Sequence, residues 1–514
     1  MKKTLSLLLA ALLSASALSV LAGCSDSTDN SDAGDNSASQ GQSVSADAQN
    51  DDAEQETEFV DPFAGTDFGG RDFRVYTSVD DTDATNGNAF IQGSGELNGE
   101  AVNDAVYERN AKVSELLNIN PTFIEASLSY SNHEATIKKQ IMAGSDDWDV
   151  MANDIMAFGS LARDGYLHNI YSNQILDLTK TYWYSEAMRD CQFIEGGMYI
   201  LIGDYFTDSL QSAHALYSNK NLINDYYNDP NYLQNMVFEG KWTFDTMIDV
   251  INTVMQDTDG DGTMKEGDRF GFTCIGMWGS MIPFLIGTDI QFIERTEDGP
   301  QYCFNNERSV KILEKLNELF YADGSLTTLA DYSDAGLRIV FGAGQSLIIG
   351  YNRLGDLAKM RDIEFTIGIL PYPKLDEEQQ NYVSSLHDTS EVGAIPMTLP
   401  PESMEFCTTC LEVFCRETGK TVIPKYYEEG LKVKYSNGQD DARLIDLIHD
   451  SISSPFPVAF NGTLGGFLLG TCFSTPLGSN STDFASAYKK SEKVGLKNLD
   501  KVYNAFQANL DNGN

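Results

Sequence analysis

The sequence predicts an α/β fold. Two observations carry this. Between Phe73 and Ala152, short strand-like runs and longer amphipathic runs alternate as strand–helix–strand–helix–strand, the opening of a doubly wound sheet. The composition is globular, with 42% hydrophobic and 11% aromatic residues, and 514 residues suffice for two or three cores.

The first residues stand apart from that fold. Lys2 and Lys3 precede an apolar run over 5–21 and then Leu21-Ala22-Gly23-Cys24. A charged start, an apolar run and small residues before a cut site make a secretory signal, short of a comfortable membrane span. A cysteine directly after Leu-Ala-Gly resembles a bacterial lipobox. Residues 1–23 are therefore expected to be a lipoprotein signal peptide, cut before a lipidated Cys24; the alternative is an ordinary secretory signal with an incidental cysteine. Residues 25–58 hold ten acids and no Lys or Arg, so 24–65 is expected to be the lipidated cysteine and a disordered acidic tether. The expected location is the cell membrane, on its extracytoplasmic face, with the lipid as the only anchor.

The formal net charge is −41, and −43 once the leader with Lys2 and Lys3 is removed. Such a surface argues against nucleic acid, against direct binding to anionic lipid headgroups, and against anionic ligands without a local basic pocket. Seven cysteines follow Cys24: Cys191, Cys274, Cys303, Cys407, Cys410, Cys415 and Cys472. They lack the spacing of a disulfide scaffold, and Cys407, Cys410 and Cys415 fit the core face of a helix. The five histidines are scattered without zinc spacing.

In chain order, 73–77 alternates as a strand. A helix opens near Gly99 with Val102, Ala105, Val106, Val113, Leu116 and Leu117 as its apolar stripe. Residues 120–125 read as a strand, 132–143 as a helix stopped by Gly144, and 148–152 as a third strand. Further on, 198–202, 270–273, 345–350 and 365–370 read as strands. Residues 242–255, 309–320 and 354–361 read as helices, and helical sequence starts at Asn219.

Gly-Arg-Asp-Phe-x-Val from Gly70, Asn-Gly-Glu-Ala-Val-Asn-Asp-Ala-Val-Tyr-Glu-Arg-Asn from Asn98, and Ala-Gly-x-x-x-Trp-Asp-Val from Ala143 resemble extracellular solute-binding proteins. These are the lipoprotein receptors of ABC importers, in the group that includes sugar and oligosaccharide binders. The resemblance continues in Ala215-Leu216-Tyr217-Ser218-Asn219-Lys220 and Gly240-Lys241-Trp242-Thr243-Phe244-Asp245, over most of 66–510. It implies a two-lobed periplasmic-binding-protein-like fold with a hinge, lobe 1 from 66–185 and 335–385, lobe 2 from 186–334 and 386–514. It implies a solute, expected to be an oligosaccharide, held in the cleft, and ABC permease subunits as partners. Two other classes stay open: a surface-anchored carbohydrate-active enzyme and an adhesive lipoprotein without a small ligand. No Gly-x-Ser-x-Gly or His-Glu-x-x-His motif favours the enzyme.

Ligands of open α/β sheets sit beyond the carboxyl ends of strands. That rule nominates Asn153, Asp154, Asp204, Tyr205, Trp278, Tyr351, Asn352 and Arg353. Aromatic faces stack on sugar rings, while Asp, Asn and Arg bond hydroxyls. Each also has a plain role: Asp154 as a helix cap, Tyr205 in a core, Arg353 in an ion pair. Separately, Asp257-Thr258-Asp259-Gly260-Asp261-Gly262-Thr263-Met264-Lys265-Glu266-Gly267-Asp268 has EF-hand-like spacing. Asp257, Asp259, Asp261, Thr263 and Asp268 are the expected ligands of a structural calcium ion. The alternative is a solvated acidic loop.

Overall fold

The structure, a computed structural model, describes residues 61–79, 89–127, 130–206, 211–388, 390–427, 438–453 and 455–513. The expected leader, Cys24 and nearly all of the tether lie outside these residues.

The first lobe starts with β1 (Arg71–Val79), α1 (Ala89–Gln92), α2 (Ala101–Leu117), β2 (Ile119–Ser127), α3 (Tyr130–Met142), β3 (Val150–Asp154) and α4 (Ile155–Arg163). The Asp104 carboxylate accepts from the N–H groups of Asn98 and Gly99 and so ties the approach to α2 to its first turn. Asn118 ends α2 in the left-handed region at φ 46°. Val106, Val113 and Leu117 face inward, fully buried. Pro121 is tolerated in β2 because β2 is an edge strand. After α5 (Ser185–Asp190), residues 198–202 are not the expected strand. They form no regular element, and among the described residues they bridge through Leu201 to Gly393.

The second lobe comprises β4 (His214–Asn219), α6 (Lys220–Tyr227), α7 (Tyr232–Phe238), α8 (Phe244–Val254), β5 (Phe270–Thr273), α9 (Met277–Gly287), the hairpin β6 (Ile293–Thr296) and β7 (Gly299–Tyr302), α10 (Glu307–Phe320), β8 (Ser325–Leu326), α11 (Asp334–Gly342), β9 (Ser346–Arg353) and β10 (Ile367–Leu370). Asn219 caps α6, and Thr243 with Thr246 forms a capping box on α8. Residues 354–361, expected as an α-helix, form a 3₁₀ helix at Leu354–Met360. The chain then makes β11 (Glu391–Ala394), α12 (Met404–Ile423), α13 (Gln439–Asp450), α14 (Phe456–Phe460), a π-helix at Phe467–Ser474, α15 (Thr475–Gly478) and α16 (Phe484–Asp511).

The larger strands form two mixed sheets, ordered β11-β3-β1-β2 and β10-β4-β9-β5-β8. This corrects the expected division. Residues 335–385 do not return to lobe 1: β9 pairs with β4 and β5, and β10 with β4. Residues 386–514 do not all belong to lobe 2. β11 pairs antiparallel with β3, and the Phe414 ring of α12 stacks on Phe73 of β1 at 5.5 Å. Gly159 of α4 lies so close to α14 that a Cβ there would meet the Ala459 carbonyl oxygen at 1.9 Å.

Two passages between the sheets run side by side. The N–H of Leu201 donates to the Gly393 carbonyl at 2.8 Å and the reverse bond is 2.7 Å. Further along, the His214 N–H donates to the Ser385 carbonyl and the His387 N–H to the Ser212 carbonyl, both at 2.9 Å. The hinge is thus tied by backbone bonds at both ends. A passage lies at the boundary expected after residue 385. The boundary expected after residue 185 falls later, after Leu201, and no passage occurs after residue 334, where β8, α11 and β9 all stay with the second sheet. The seven cysteines of the body are unbridged, and six are buried, including Cys407, Cys410 and Cys415 on the inner face of α12. Among the described residues no helix is long and apolar enough to cross a membrane.

Candidate functional site

The carboxyl end of β5 runs into the first turn of α9, Gly276-Met277-Trp278-Gly279. Gly276 has φ 76°, in the left-handed region. A Cβ on Gly276 would lie 2.4 Å from the Tyr332 ring, and one on Gly279 would lie 2.3 Å from the Tyr351 ring. The two glycines therefore let two aromatic rings lie against the turn that carries Trp278. Trp278 is 41% exposed and Tyr332 66% exposed. Trp278 on the turn, with Tyr332 and Tyr351 against its two flanking glycines, gives an aromatic wall at the carboxyl end of a strand, where the topology of α/β sheets places ligands.

Tyr351 is not beyond β9 but inside it, at an irregularity in its pairing with β4 between Ala215 and Tyr217. Its backbone is left-handed, φ 61°, which is uncommon for a residue with a side chain. Its N–H donates to the Tyr372 hydroxyl at 3.0 Å, and its own hydroxyl lies 3.1 Å from His387 Nε2. His387 Nδ1 lies 3.2 Å from the Asp388 carboxylate. The aromatic wall is thereby joined to the passage that leads to β11.

The first-lobe candidates lie at the other end of the same passage. Asn153 and Asp154 end β3, with Asp154 opposite Glu391, and the Ile155 N–H donates to the Ser390 carbonyl at 3.0 Å. Both side chains are buried. Asn153 Oδ1 accepts from the Asp154 N–H at 2.7 Å, and Asp154 caps α4 by accepting from the Met156 N–H at 2.8 Å.

The other candidates do not face this wall. Tyr205 is core: its ring is 4.9 Å from Phe414, the Arg109 guanidinium lies over it, and its hydroxyl donates to the Gln92 carbonyl at 3.1 Å. Asp204 is buried against Gly419 of α12, and burial pushes its carboxyl up to about 7. The strand expected before these two residues does not exist, so the strand-end rule had nothing to act on. Asn352 and Arg353 also lie within β9. The Asn352 amide donates to the Gly350 carbonyl at 2.9 Å. Arg353 is buried between Asp356, at 3.2 Å, and Asp334, at 3.3 Å, and the guanidinium holds the Asp356 carboxyl well below the usual range.

Three participants were missed in the sequence. Tyr332 follows the carboxyl end of β8, a strand of two residues too short to recognise. His214 and His387 lie with ring centroids 5.4 Å apart, brought together by the paired passages across 171 and more residues of chain. His214 Nδ1 is 2.9 Å from the Ser385 hydroxyl, while His214 Nε2 and the Ser390 hydroxyl are buried without a hydrogen-bond partner among the described residues.

In the 257–268 loop, one oxygen from each of Asp257, Asp259 and Asp261 lies within 4.8 Å of the others. Thr263 donates its N–H to Asp261 at 2.9 Å. Asp268 does not join them. Its oxygens accept from the Thr258 N–H and hydroxyl, both at 2.9 Å, and from the Lys265 N–H at 3.0 Å. The Lys265 ammonium is 2.7 Å from Asp259 and also pairs with Asp261.

No protein-family model matches the sequence, and no curated protein does. Solved structures match over most of the chain. The sugar-binding protein MalE from the phytopathogen Xanthomonas citri superposes with a TM-score of 0.54 at 11% identity, covering 84% of this chain and 98% of that one. The cyclic alpha-maltosyl-1,6-maltose binding protein from Arthrobacter globiformis gives 0.51 at 16% identity, covering 86% and 100%. An ABC substrate-binding protein from Listeria monocytogenes, solved with cycloalternan, gives 0.51 at 10% identity, covering 83% and 99%. The chain has the two-lobed α/β fold of these binding proteins.

The buried histidines set a pH dependence. Burial, reinforced by Arg353, lowers His214 to about 3 and holds His387 well below its ordinary value. Each binds a proton in the unfolded chain but not in the fold, so each costs stability as pH falls below about 6.5. Asp204 acts oppositely: the fold keeps its proton, so its contribution is present at low pH and lost as pH rises from 3.8 through about 7. Comparing His214→Gln with the parent isolates one histidine. Below pH 6, its urea-derived stability should fall less steeply, by about 1.4 kcal/mol per pH unit. Equal slopes would show that His214 is protonated in the fold.

Proposed function

We propose that this protein is an extracytoplasmic, membrane-anchored receptor that captures a carbohydrate, favoured as an oligosaccharide, between its lobes and hands it to an ABC permease. The observation that carries this is the wall of Trp278, Tyr332 and Tyr351 at the end of β5, in a fold whose solved counterparts bind sugars. Such rings offer flat apolar faces to pyranose rings. Asn153 and Asp154 are the first-lobe residues assigned to the ligand. Contacts from both lobes favour the closed form by their differential affinity. A hydrolytic reading is less favoured, because nearby carboxylates have other partners: Asp334 and Asp356 hold Arg353, and Asp388 pairs with His387.

A thermal-shift screen against mono- and oligosaccharides identifies the ligand, since binding to the fold alone raises its melting temperature. With that sugar, Trp278→Ala should weaken binding by about 2 kcal/mol, or roughly thirtyfold, with the melting curve of the free protein unchanged. Small-angle scattering should show compaction on binding. A sugar bound equally well by Trp278→Ala and Tyr332→Ala, or released in altered form, would overturn the assignment.

The anchor reading rests on Leu21-Ala22-Gly23-Cys24. After a high-salt wash, Cys24→Ala should be in the soluble fraction while the parent stays with the membrane; retention of the variant through that wash contradicts a lipid on Cys24.

For the 257–268 loop we propose a structural calcium ion held by Asp257, Asp259, Asp261 and the backbone of Thr263, with the Lys265 ammonium displaced. The gathering of three carboxylates supports it. Calcium should raise the melting temperature and a chelator should reverse the rise, with a larger response in Lys265→Ala. If lysine is the loop's own counter-ion instead, calcium has no effect and Lys265→Ala simply melts earlier.

A further inference from the structure

We propose that the outer face of α16 is a docking surface for an anionic phospholipid membrane. On a chain of net charge −41, Phe484–Asp511 carries five lysines against three acids, a net of +2. Lys489, Lys493, Lys497 and Lys501 are four residues apart, so successive members drift by only about 40° around the helix. Lys490 falls in the same arc. All five are exposed, and none forms a salt bridge with a described residue. Asp500 lies within the arc, Asp511 lies in it only at the far end of the helix, ten residues beyond Lys501, and Glu492 lies to one side. Leu496 and Val494, 44% and 62% exposed, fall just outside its two edges.

The stripe is held rigidly. Phe484, Tyr488, Leu499, Val502 and Phe506 bury the opposite face. The Asn509 amide donates to the Ala162 carbonyl at 3.0 Å, which fixes the helix to α4 in the first lobe, and the Tyr302 hydroxyl reaches the Gly495 carbonyl at 3.3 Å from the β7 hairpin. A straight row of ammonium groups, all lysine and no arginine, suits the diffuse negative potential of a headgroup layer better than a geometric match to one carboxylate. Flanking aliphatic side chains suit the headgroup boundary. Lysine is depleted in protein–protein interfaces, which disfavours a protein occupant. The acid surplus elsewhere does not cancel the stripe at contact, because charges are screened beyond about 8 Å at physiological salt. The acidic body thus keeps its repulsion at the other faces and presents this one.

The test uses the full chain carrying Cys24→Ala, sedimented with phosphatidylcholine vesicles with or without phosphatidylglycerol. Binding should require phosphatidylglycerol and fall as salt rises; Lys2 and Lys3 of the leader are common to every variant, so the share of α16 is the difference between the parent and the lysine variants. Replacing Lys493, Lys497 and Lys501 together by Gln should weaken binding on the order of a hundredfold, and by Arg should preserve it. An unchanged melting curve checks that both variants fold. No binding to anionic vesicles, equal binding to neutral ones, or indifference to the Gln variant overturns the proposal. Tighter binding to poly-L-glutamate than to the vesicles overturns it in favour of an acidic protein partner.

Discussion

The second lobe's aromatic wall depends on one close approach, that of the Tyr351 ring to Gly279. With a Cβ position 2.3 Å from the ring, no other residue fits at 279 without displacing Tyr351. Displacing Tyr351 has consequences at both ends of the residue. Its N–H is tied to Tyr372 and its hydroxyl to His387, and these attachments help to hold its left-handed backbone at the irregularity in the strand. A small residue on a helix therefore sets the position of a ring, and the ring sets the position of a hinge passage.

The first sheet was legible because its signals are local. Alternation marked β1, the 3.6-residue stripe marked α2, and Gly144 marked the end of the second long helix. Sheet membership was not legible. β9 and β10 are short apolar runs, and such a run fits any strand covered on both faces, so nothing in Ser346–Leu347–Ile348–Ile349 says which sheet receives it. The wall was half visible. Trp278 was found because β5 was recognised, and Tyr332 was lost with the two-residue β8. Tyr205 shows the rule's weakness in the opposite direction: an aromatic after an apolar run is more often core, and here it packs on Phe414. The histidine pair had no sequence signal at all, since only the antiparallel passages bring residues 214 and 387 together.

Net charge proved a poor guide to local charge. The acid surplus is real, yet buried carboxylates such as Asp356, Asp149 and Glu417 are each paired with Arg or Lys and contribute little to the outer field. The lysines of α16 point outward and form no ion pair among the described residues. A whole-chain average hides this because it weights a neutralised interior pair and an exposed helix alike.

The cysteines carry a consequence for the extracytoplasmic location proposed above. Burial pushes Cys274 up to about 12 and holds Cys407, Cys410 and Cys415 far above the ordinary thiol range. Thiol exchange needs a reachable thiolate, and in the folded chain these groups are neither ionised nor reachable. Packing does here what cross-linking does in disulfide-rich exported domains, but only once folding is complete. Under the export proposed above, the same residues are ordinary thiols in an oxidising space until the α12 core closes, so the interval between translocation and that closure is when this protein is chemically exposed.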